Sequence, residues 1–420
     1  MSIICGTDLS PASDGALAVA CALAGLRGDD EVVLVHVADY AGNETVRDDL
    51  MEEARTKIDA IAARCSGPVR VRSEIVTGES AHQMLCSFAE SEGSDLIVIA
   101  ASSTQGASLV RLGTTAARLI ATTHVPVLCV RDPAPWLAFA KRARSLRVLL
   151  GLDDSAVSDL GMQWIHGLRR LAPIAVILGA IYYPDEAGSR YGVPAKSAVD
   201  RDPEIERLLS RDLLRRFGTH DAPDVHARPR RGLGRIGDHM IELAKEESVD
   251  VIVVGTSQKT GLGRLGSVSS VVVNDAPQSV LCVPPQAQIP TVVVPTVRST
   301  LVATDLSQFA NRAVAYAFAL ASEEVHIVHV VKSTDTANEA DLLAQLQALA
   351  PAGARQRCHP HIVRGDDAAV TLARCAARHG VDVICISSHG RSGIARALVG
   401  SVADQLLRAT RLPVLVLRPA

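Results

Sequence analysis

Ile3-Ile4-Cys5-Gly6-Thr7-Asp8, Val148-Leu149-Leu150-Gly151-Leu152-Asp153 and Leu301-Val302-Ala303-Thr304-Asp305 are one short apolar strand, ending in an aspartate, written three times. Each opens a third of the chain. A second block starts at an aspartate, continues as an apolar run and leads to a glycine followed by a hydroxyl residue. It recurs as Asp95–Thr114, Asp250–Ser267 and Asp382–Ser401. A closing strand recurs as Val125–Val130, Ser279–Val283 and Pro413–Leu417. Asp95 to Gly113 and Asp382 to Gly400 both span 18 positions, and Asp250 to Gly266 spans 16, so the middle copy has lost two residues from this loop. Features recurring in one order at one spacing mark an internal repeat, which decides the fold before any single motif does.

Within each copy strand and helix alternate. In the third, strands are expected at Leu301–Thr304, Val325–Val331, His359–Val363, Asp382–Ser387 and Val414–Leu417. Helices are expected at Gln308–Ala321, Ala337–Ala350, Asp367–His379 and Gly400–Thr410. Alternating βα units imply a parallel sheet with right-handed crossovers and helices on both faces. The expected class is therefore α/β, as three tandem open parallel five-stranded sheets. Prolines in Asp132–Leu146 (Pro133, Pro135) and in Pro284–Ser299 (Pro284, Pro285, Pro290, Pro295) are expected to interrupt regular structure. They place domains at 1–131, 146–285 and 299–420.

Composition narrows the function. Over 420 residues, 48% hydrophobic and 21% charged residues are those of a globular protein. Aromatic residues make up only 3%, so cores must be built from Val, Leu, Ile and Ala, which suits buried parallel strands. A formal charge of −3 argues against nucleic acid or acidic membranes as partners. Nine cysteines without a Cys-x-x-Cys pair, four of them (Cys5, Cys129, Cys282, Cys385) inside apolar runs, fit a reducing compartment. The N-terminal run enters a strand without a basic region, so no signal peptide is expected. Apolar runs such as Leu96–Ala101 stop short of a membrane span. A cytoplasmic location is expected.

Chemistry concentrates in the third copy. Ser387-Ser388-His389-Gly390 follows an apolar strand, and nine residues later Gly400-Ser401 opens a helix. Glycines let a backbone approach a ligand. A loop of N–H groups ending at a helix N-terminus is a ready anion site. Ser401 is placed to bond a phosphate or cap the helix, and Asp305, across the cleft, to bond a base or ribose.

Here the chain resembles the universal stress protein family. That family's signature is Gly, two residues, Gly, nine residues, then Gly with Ser or Thr, preceded by an early strand ending in Asp. The resemblance covers essentially the whole chain in three copies. It implies a HUP-like, adenine-nucleotide alpha-hydrolase-like fold whose strand order reverses between strands one and four, with the ligand in that crevice. Some members bind ATP and others do not. By motif position, Ala303, Thr304 and Asp305 would lie on the adenine and ribose side, and Val330 would pack on the base. The Ser387, Ser388, His389 and Gly390 loop would line the crevice. Gly390, Gly400, Ser401 and Val402 would hold ribose and phosphates. The first signature glycine is Ser387, whose Cβ is placed to crowd the nucleotide.

The other copies depart further. Ala100 and Ser103 replace both early glycines in the first, leaving Gly113-Thr114 with Asp8 and Val37. The second keeps Gly255, has Gln258 for the next glycine, and reaches Gly266-Ser267 two residues early. The third copy therefore ranks first for binding, then the second, then the first.

Plainer readings compete. Ser or Thr after the glycine is a favoured helix cap, and Asp8, Asp153 and Asp305 suit Asx-turns. Gly232–Gly237 and Gly261–Gly266 match Gly-x-Gly-x-x-Gly but neither follows a first strand, so a dinucleotide fold is not supported. Asp153-Asp154 lacks the partners a phospho-acceptor domain needs. Cys358-His359-Pro360-His361 holds metal-ligand types, but in a predicted strand with no second cluster, so it is read as structural and no metal site is expected. Arg207, Arg211, Arg215 and Arg216 are read as a solvated helix face.

The function expected is that of a cytoplasmic adenine-nucleotide-binding stress or regulatory protein. It would take ATP or AMP, with Mg2+ as the companion ion, chiefly in the C-terminal domain. A slow ATPase or phosphotransferase is the enzymatic alternative, and a non-binding scaffold the third. The Ser387–Ser401 loop contains no carboxylate, which argues against efficient hydrolysis. The closing strands carry no charge. The first two are expected to pair within the chain, and the third with the third domain of another chain as a homodimer.

Overall fold

The computed structural model describes residues 2–38, 44–65, 67–101, 113–194, 200–218, 222–256, 268–288, 296–335, 338–388 and 400–418. The first repeat runs β1 (Ser2–Thr7), α1 (Pro11–Arg27), β2 (Glu31–Ala38), α2 (Glu44–Arg64), β3 (Arg70–Thr77), α3 (Ala81–Ser91), β4 (Ser94–Ala100), α4 (Thr114–Thr122) and β5 (Val127–Val130). After α5 (Ala134–Ala140) the second runs β6 (Leu146–Gly151), α6 (Ala156–Arg169), β7 (Ile174–Tyr182), α7 (Pro184–Tyr191), α8 (Pro203–Phe217), β8 (Val225–Arg231), α9 (Ile236–Glu246), β9 (Val251–Gly255), α10 (Val268–Asp275) and β10 (Ser279–Val283). The third runs β11 (Ser299–Ala303), α11 (Gln308–Leu320), β12 (Glu324–Val331), α12 (Glu339–Ala348), β13 (Arg357–Arg364), α13 (Ala368–His379), β14 (Val383–Ser387), α14 (Ser401–Ala409) and β15 (Val414–Leu417).

The chain divides into two compact units, Met1–Ile181 with Thr219–Val293, and Tyr182–Gly218 with Val294–Ala420. In the first unit one ten-stranded sheet has the order β3-β2-β1-β4-β5-β10-β9-β6-β7-β8. It corrects the expectation of three separate sheets. The closing strands β5 and β10 pair antiparallel, and each is buried along its whole length. The join follows from their chemistry: two short apolar edges leave backbone groups unpaired unless each meets the other.

The second unit carries a five-stranded sheet of order β13-β12-β11-β14-β15, parallel throughout. Its strands bury alternate residues on opposite faces. Leu301, Ala303, Ile384 and Ile386 pack with Leu372 of α13 and Leu406 of α14. Val302 and Cys385 pack with Val314 and Phe318 of α11 and Leu346 of α12. Both faces are thereby covered, as parallel strands require. Pro360 and Pro229 are accommodated because β13 and β8 are edge strands.

Two other expectations change. Pro133 and Pro135 do not break structure: they sit at the start of α5, where a missing N–H costs nothing, and Trp136 and Phe139 of that helix are buried. The helix carrying Arg207–Arg216 is not simply solvated. Arg211 of α8 donates to the carbonyls of Ala377 and Arg378 at the C-terminus of α13, both at 2.6 Å, and Arg215 Nε and Nη1 are buried. All nine cysteines are free thiols. No helix among the described residues is long and apolar enough to cross a membrane.

Candidate functional site

β11 lies between β12 and β14, so the strand order reverses at it, and the crevice beyond its C-terminal end is where open α/β sheets take ligands. Ala303 closes β11 and is buried. Thr304 extends the pairing by one bond, its N–H donating to the Val328 carbonyl at 3.0 Å. The chain then turns sharply. Thr304 Oγ1 accepts from the Leu306 N–H at 3.0 Å and donates to Asn311 Oδ1 at 2.6 Å. Asp305 Oδ1 accepts from the Ser307 N–H at 3.0 Å, and Ser307 Oγ accepts from the Ala310 N–H at 3.2 Å, capping α11. Between them Leu306 is held at φ 64°, a left-handed conformation that costs about 1–2 kcal/mol for a residue with a Cβ.

The same turn recurs. Leu9 has φ 61°, Thr7 Oγ1 accepts from its N–H, and Asp8 Oδ1 accepts from the Ser10 N–H and the Ser13 hydroxyl. Burial works to raise the Asp8 pKa, but the bonds from Ser10 and Ser13 outweigh it and hold the carboxyl below its ordinary value. Asp153 Oδ1 accepts from the Ser155 N–H at 3.0 Å. The strand-ending aspartate is thus an Asx-turn former in all three copies. Its recurrence does not distinguish a binding copy from a non-binding one.

A histidine one strand over ties this turn to the sheet. His329 Nδ1 lies 2.8 Å from the Thr304 carbonyl, and His36 Nδ1 lies 3.0 Å from that of Thr7. The pair is legible only as a shared position in β2 and β12. Val330, the next residue, is half-buried against the α13 and α14 face.

On the other side of the crevice Ser387 ends β14. Its hydroxyl donates to the carbonyls of Phe309 and Ala310, at 3.1 and 3.4 Å, in the first turn of α11. This side chain therefore points at α11, not into the crevice as its place in the signature suggests. Gly255, at the same position in the second repeat, reports the same geometry: an added Cβ would meet Val157 of α6 at 2.6 Å. Ser388 is buried, and its N–H donates to the Leu417 carbonyl at 2.8 Å. His389 and Gly390 lie outside the described residues, as do Ser103, Gln258, Gly266 and Ser267.

α14 begins with Gly400 as its N-cap and Ser401 as its first, exposed residue. Val402 packs on the sheet face. No side chain among the described residues caps this helix, whereas Ser307, Asn338 and Asp367 each cap the other helices of the repeat. Gly400 has φ −64° and ψ 153°, which any residue adopts. In the first repeat Gly113 has φ −60° and ψ 147°, an added Cβ there would meet nothing within 4 Å among the described residues, and its N–H donates to the Ala101 carbonyl. That bond places the helix start directly at the end of the fourth strand.

The histidines read as structural are joined by others. His359 and His361 of β13 stand beside His326 of β12 and His379 at the end of α13. The second cluster that was missing along the sequence is supplied by sheet register.

The family model described as "Universal stress protein family" matches residues 1–131, 145–284 and 296–418. A universal stress protein from Archaeoglobus fulgidus is similar in fold: it is 16% identical, with a TM-score of 0.52 over 67% of this chain and 98% of that chain. A functionally unknown protein from Pseudomonas aeruginosa is 19% identical, covering 68% of this chain and 92% of that chain with a TM-score of 0.46. A universal stress protein in complex with cAMP is 23% identical and covers 30% of this chain and 99% of that chain, with a TM-score of 0.26.

Proposed function

This chain belongs to the universal stress protein family, and we propose that its third repeat is an adenine-nucleotide site serving a stress or regulatory role, with the first two repeats as scaffold. The observation that carries this reading is the start of α14. Among the described residues it is the one helix of the third repeat without a side-chain cap, a start it shares with α4 of the first repeat, and it opens with a glycine whose backbone conformation does not call for one. Uncapped N–H groups and the positive end of the helix dipole suit a phosphate, and a missing Cβ suits its close approach.

In this reading ATP or AMP lies across the reversal of strand order. Ala303, Thr304 and Asp305 border adenine and ribose, and Val330 packs on the base. Gly400, Ser401 and Val402, with Ser388, His389 and Gly390, meet the phosphates, and Mg2+ is the companion ion. Ser387 supports the site from behind through its bonds to α11. The protein works in the cytoplasm and binds nucleotide without rapid turnover. It is a homodimer, paired through β15, an edge strand of its sheet. Native mass spectrometry of freshly purified protein tests the reading. A co-purified adenine nucleotide is expected, and its absence together with no thermal response to added ATP would leave a scaffold without a ligand.

A further inference from the structure

In the parallel register of β12 and β13, His326 stands opposite His359 and Val328 opposite His361. Residues two apart along a strand share a face, so these three histidines lie on one side of the sheet, and α13 ends beside them at His379. His326 Nδ1 is 2.9 Å from His361 Nε2. The His379 ring centroid is 4.8 Å from that of His326 and 4.5 Å from that of His361. One ring nitrogen from each of His326, His361 and His379 lies within 4.8 Å of the others. His326 is only 5% exposed, and its Nε2 is buried with no hydrogen-bond partner among the described residues, 3.6 Å from Glu324 Oε2.

The first repeat shows what this place is shaped to hold. There Val33 stands opposite Arg72 and Val35 opposite Glu74, and Glu92 closes α3. Arg72 donates to Glu31 at 3.0 Å, Glu74 at 2.8 Å and Glu92 at 2.5 Å. The first repeat thus seats a cation of its own among three carboxylates. In the third repeat Glu324 takes the place of Glu31, His361 that of Glu74, His379 that of Glu92 and His359 that of Arg72, while His326 replaces Val33. The tethered cation is gone, and the groups that surrounded it have become mostly nitrogen donors.

We propose that His326, His361 and His379 bind one borderline divalent transition-metal ion of the Zn2+ class through three ring nitrogens. Tetrahedral coordination at Zn–N distances of about 2.0–2.1 Å sets the nitrogens about 3.3 Å apart, so on binding the three rings would close in from their present spacing within 4.8 Å. Ligation through His326 Nδ1 leaves its Nε2–H directed toward Glu324, the carboxylate–histidine–metal arrangement that orients ligand histidines. Burial, with the neighbouring histidines, holds His326 and His361 unprotonated, the form a metal needs: their pKa values are lowered to about 3 and about 4. His359, on the accessible edge strand, or water fills the fourth position. Arg211, Arg215 and Arg378 bring positive charge to the helix side of the cluster. The ion is therefore held by nitrogen donors and not by field, which excludes Mg2+ and Ca2+.

The test uses the full chain, stripped with a chelator and kept reduced. Titration with Zn2+ is expected to show one tight equivalent per chain and a raised thermal midpoint, because the ion joins β12, β13 and α13. Co2+ should give visible d–d bands without thiolate charge transfer, which separates this site from the nine free thiols. His361→Ala and His379→Ala should lose the equivalent, and Cys358→Ser should keep it. His326→Val, which installs the residue the first repeat packs at this position, should fold normally and also lose it. The proposal is overturned by no stoichiometric Zn2+ binding at micromolar protein, by thiolate bands, or by binding that survives His326→Val. A rise in midpoint with inorganic phosphate and none with Zn2+ would assign the cluster to anions instead.

Discussion

Leu128 and Leu281 stand opposite each other at the centre of the antiparallel join between β5 and β10, each fully buried. Val127 faces Cys282 and Cys129 faces Val280 on either side, so the join is close to two-fold. Leu415 holds the equivalent place in β15, an edge strand whose four residues stay half-buried.

A two-fold pair of third repeats would set Leu415 against its own copy, satisfying the edge as β5 and β10 satisfy each other. Light scattering is expected to give twice the 44.3 kDa chain mass. Leu415→Lys should halve that mass and leave the fold intact. Leu128→Lys should lower the melting temperature, because it buries a charge inside the join. A mass of one chain at micromolar concentration contradicts this pairing.

Ser387 and Gly255 occupy one position in two repeats, and opposite changes in side-chain size there should each cost stability. Ser387→Gly removes hydroxyl bonds to α11 and should cost about 0.5–1.5 kcal/mol of stability in urea. It should leave ATP affinity within twofold of wild type, since the side chain points away from the crevice. Gly255→Ala drives a Cβ into Val157 and should cost about 1–3 kcal/mol. Markedly tighter ATP binding by Ser387→Gly would show that the serine does crowd the ligand.

The histidine cluster makes stability depend on pH. His326 faces His359, His361 and His379, with Glu324 close by and Arg211, Arg215 and Arg378 contributing positive charge. Its folded pKa of about 3, and that of His361 at about 4, lie below the ordinary histidine value near 6.5. Between those limits the unfolded chain binds protons that the native state does not, so metal-free protein should lose stability as pH falls from about 6.5 toward 4. The urea midpoint should be flat above that window. His326→Val should flatten the slope within it. An unchanged slope in that variant would place the titration elsewhere.

Much of the fold was legible because it is periodic: three strands ending in aspartate, three closing strands and one loop spacing. The join of β5 with β10 was legible too, from charge-free edges. Long-range register was not. His326, His361 and His379 are far apart in sequence, and only the pairing of β12 with β13 and the end of α13 unite them. Arg211 looked solvated because its acceptors, the carbonyls of Ala377 and Arg378, lie more than 160 positions away. The inward turn of Ser387 depends on where α11 packs, which a motif spacing does not encode. Conversely, the proline-rich start of α5 was misread because proline both ends and begins helices.

Calorimetric titration of ATP into the full chain tests the central claim most directly. Gly400 and Gly113 both sit in conformations open to valine, so neither substitution strains the backbone. Wild-type protein is expected to bind one ATP per chain, Gly400→Val to bind none, and Gly113→Val to bind as wild type. Equal loss in both variants, or undiminished binding by Gly400→Val, would contradict a nucleotide site in the third repeat.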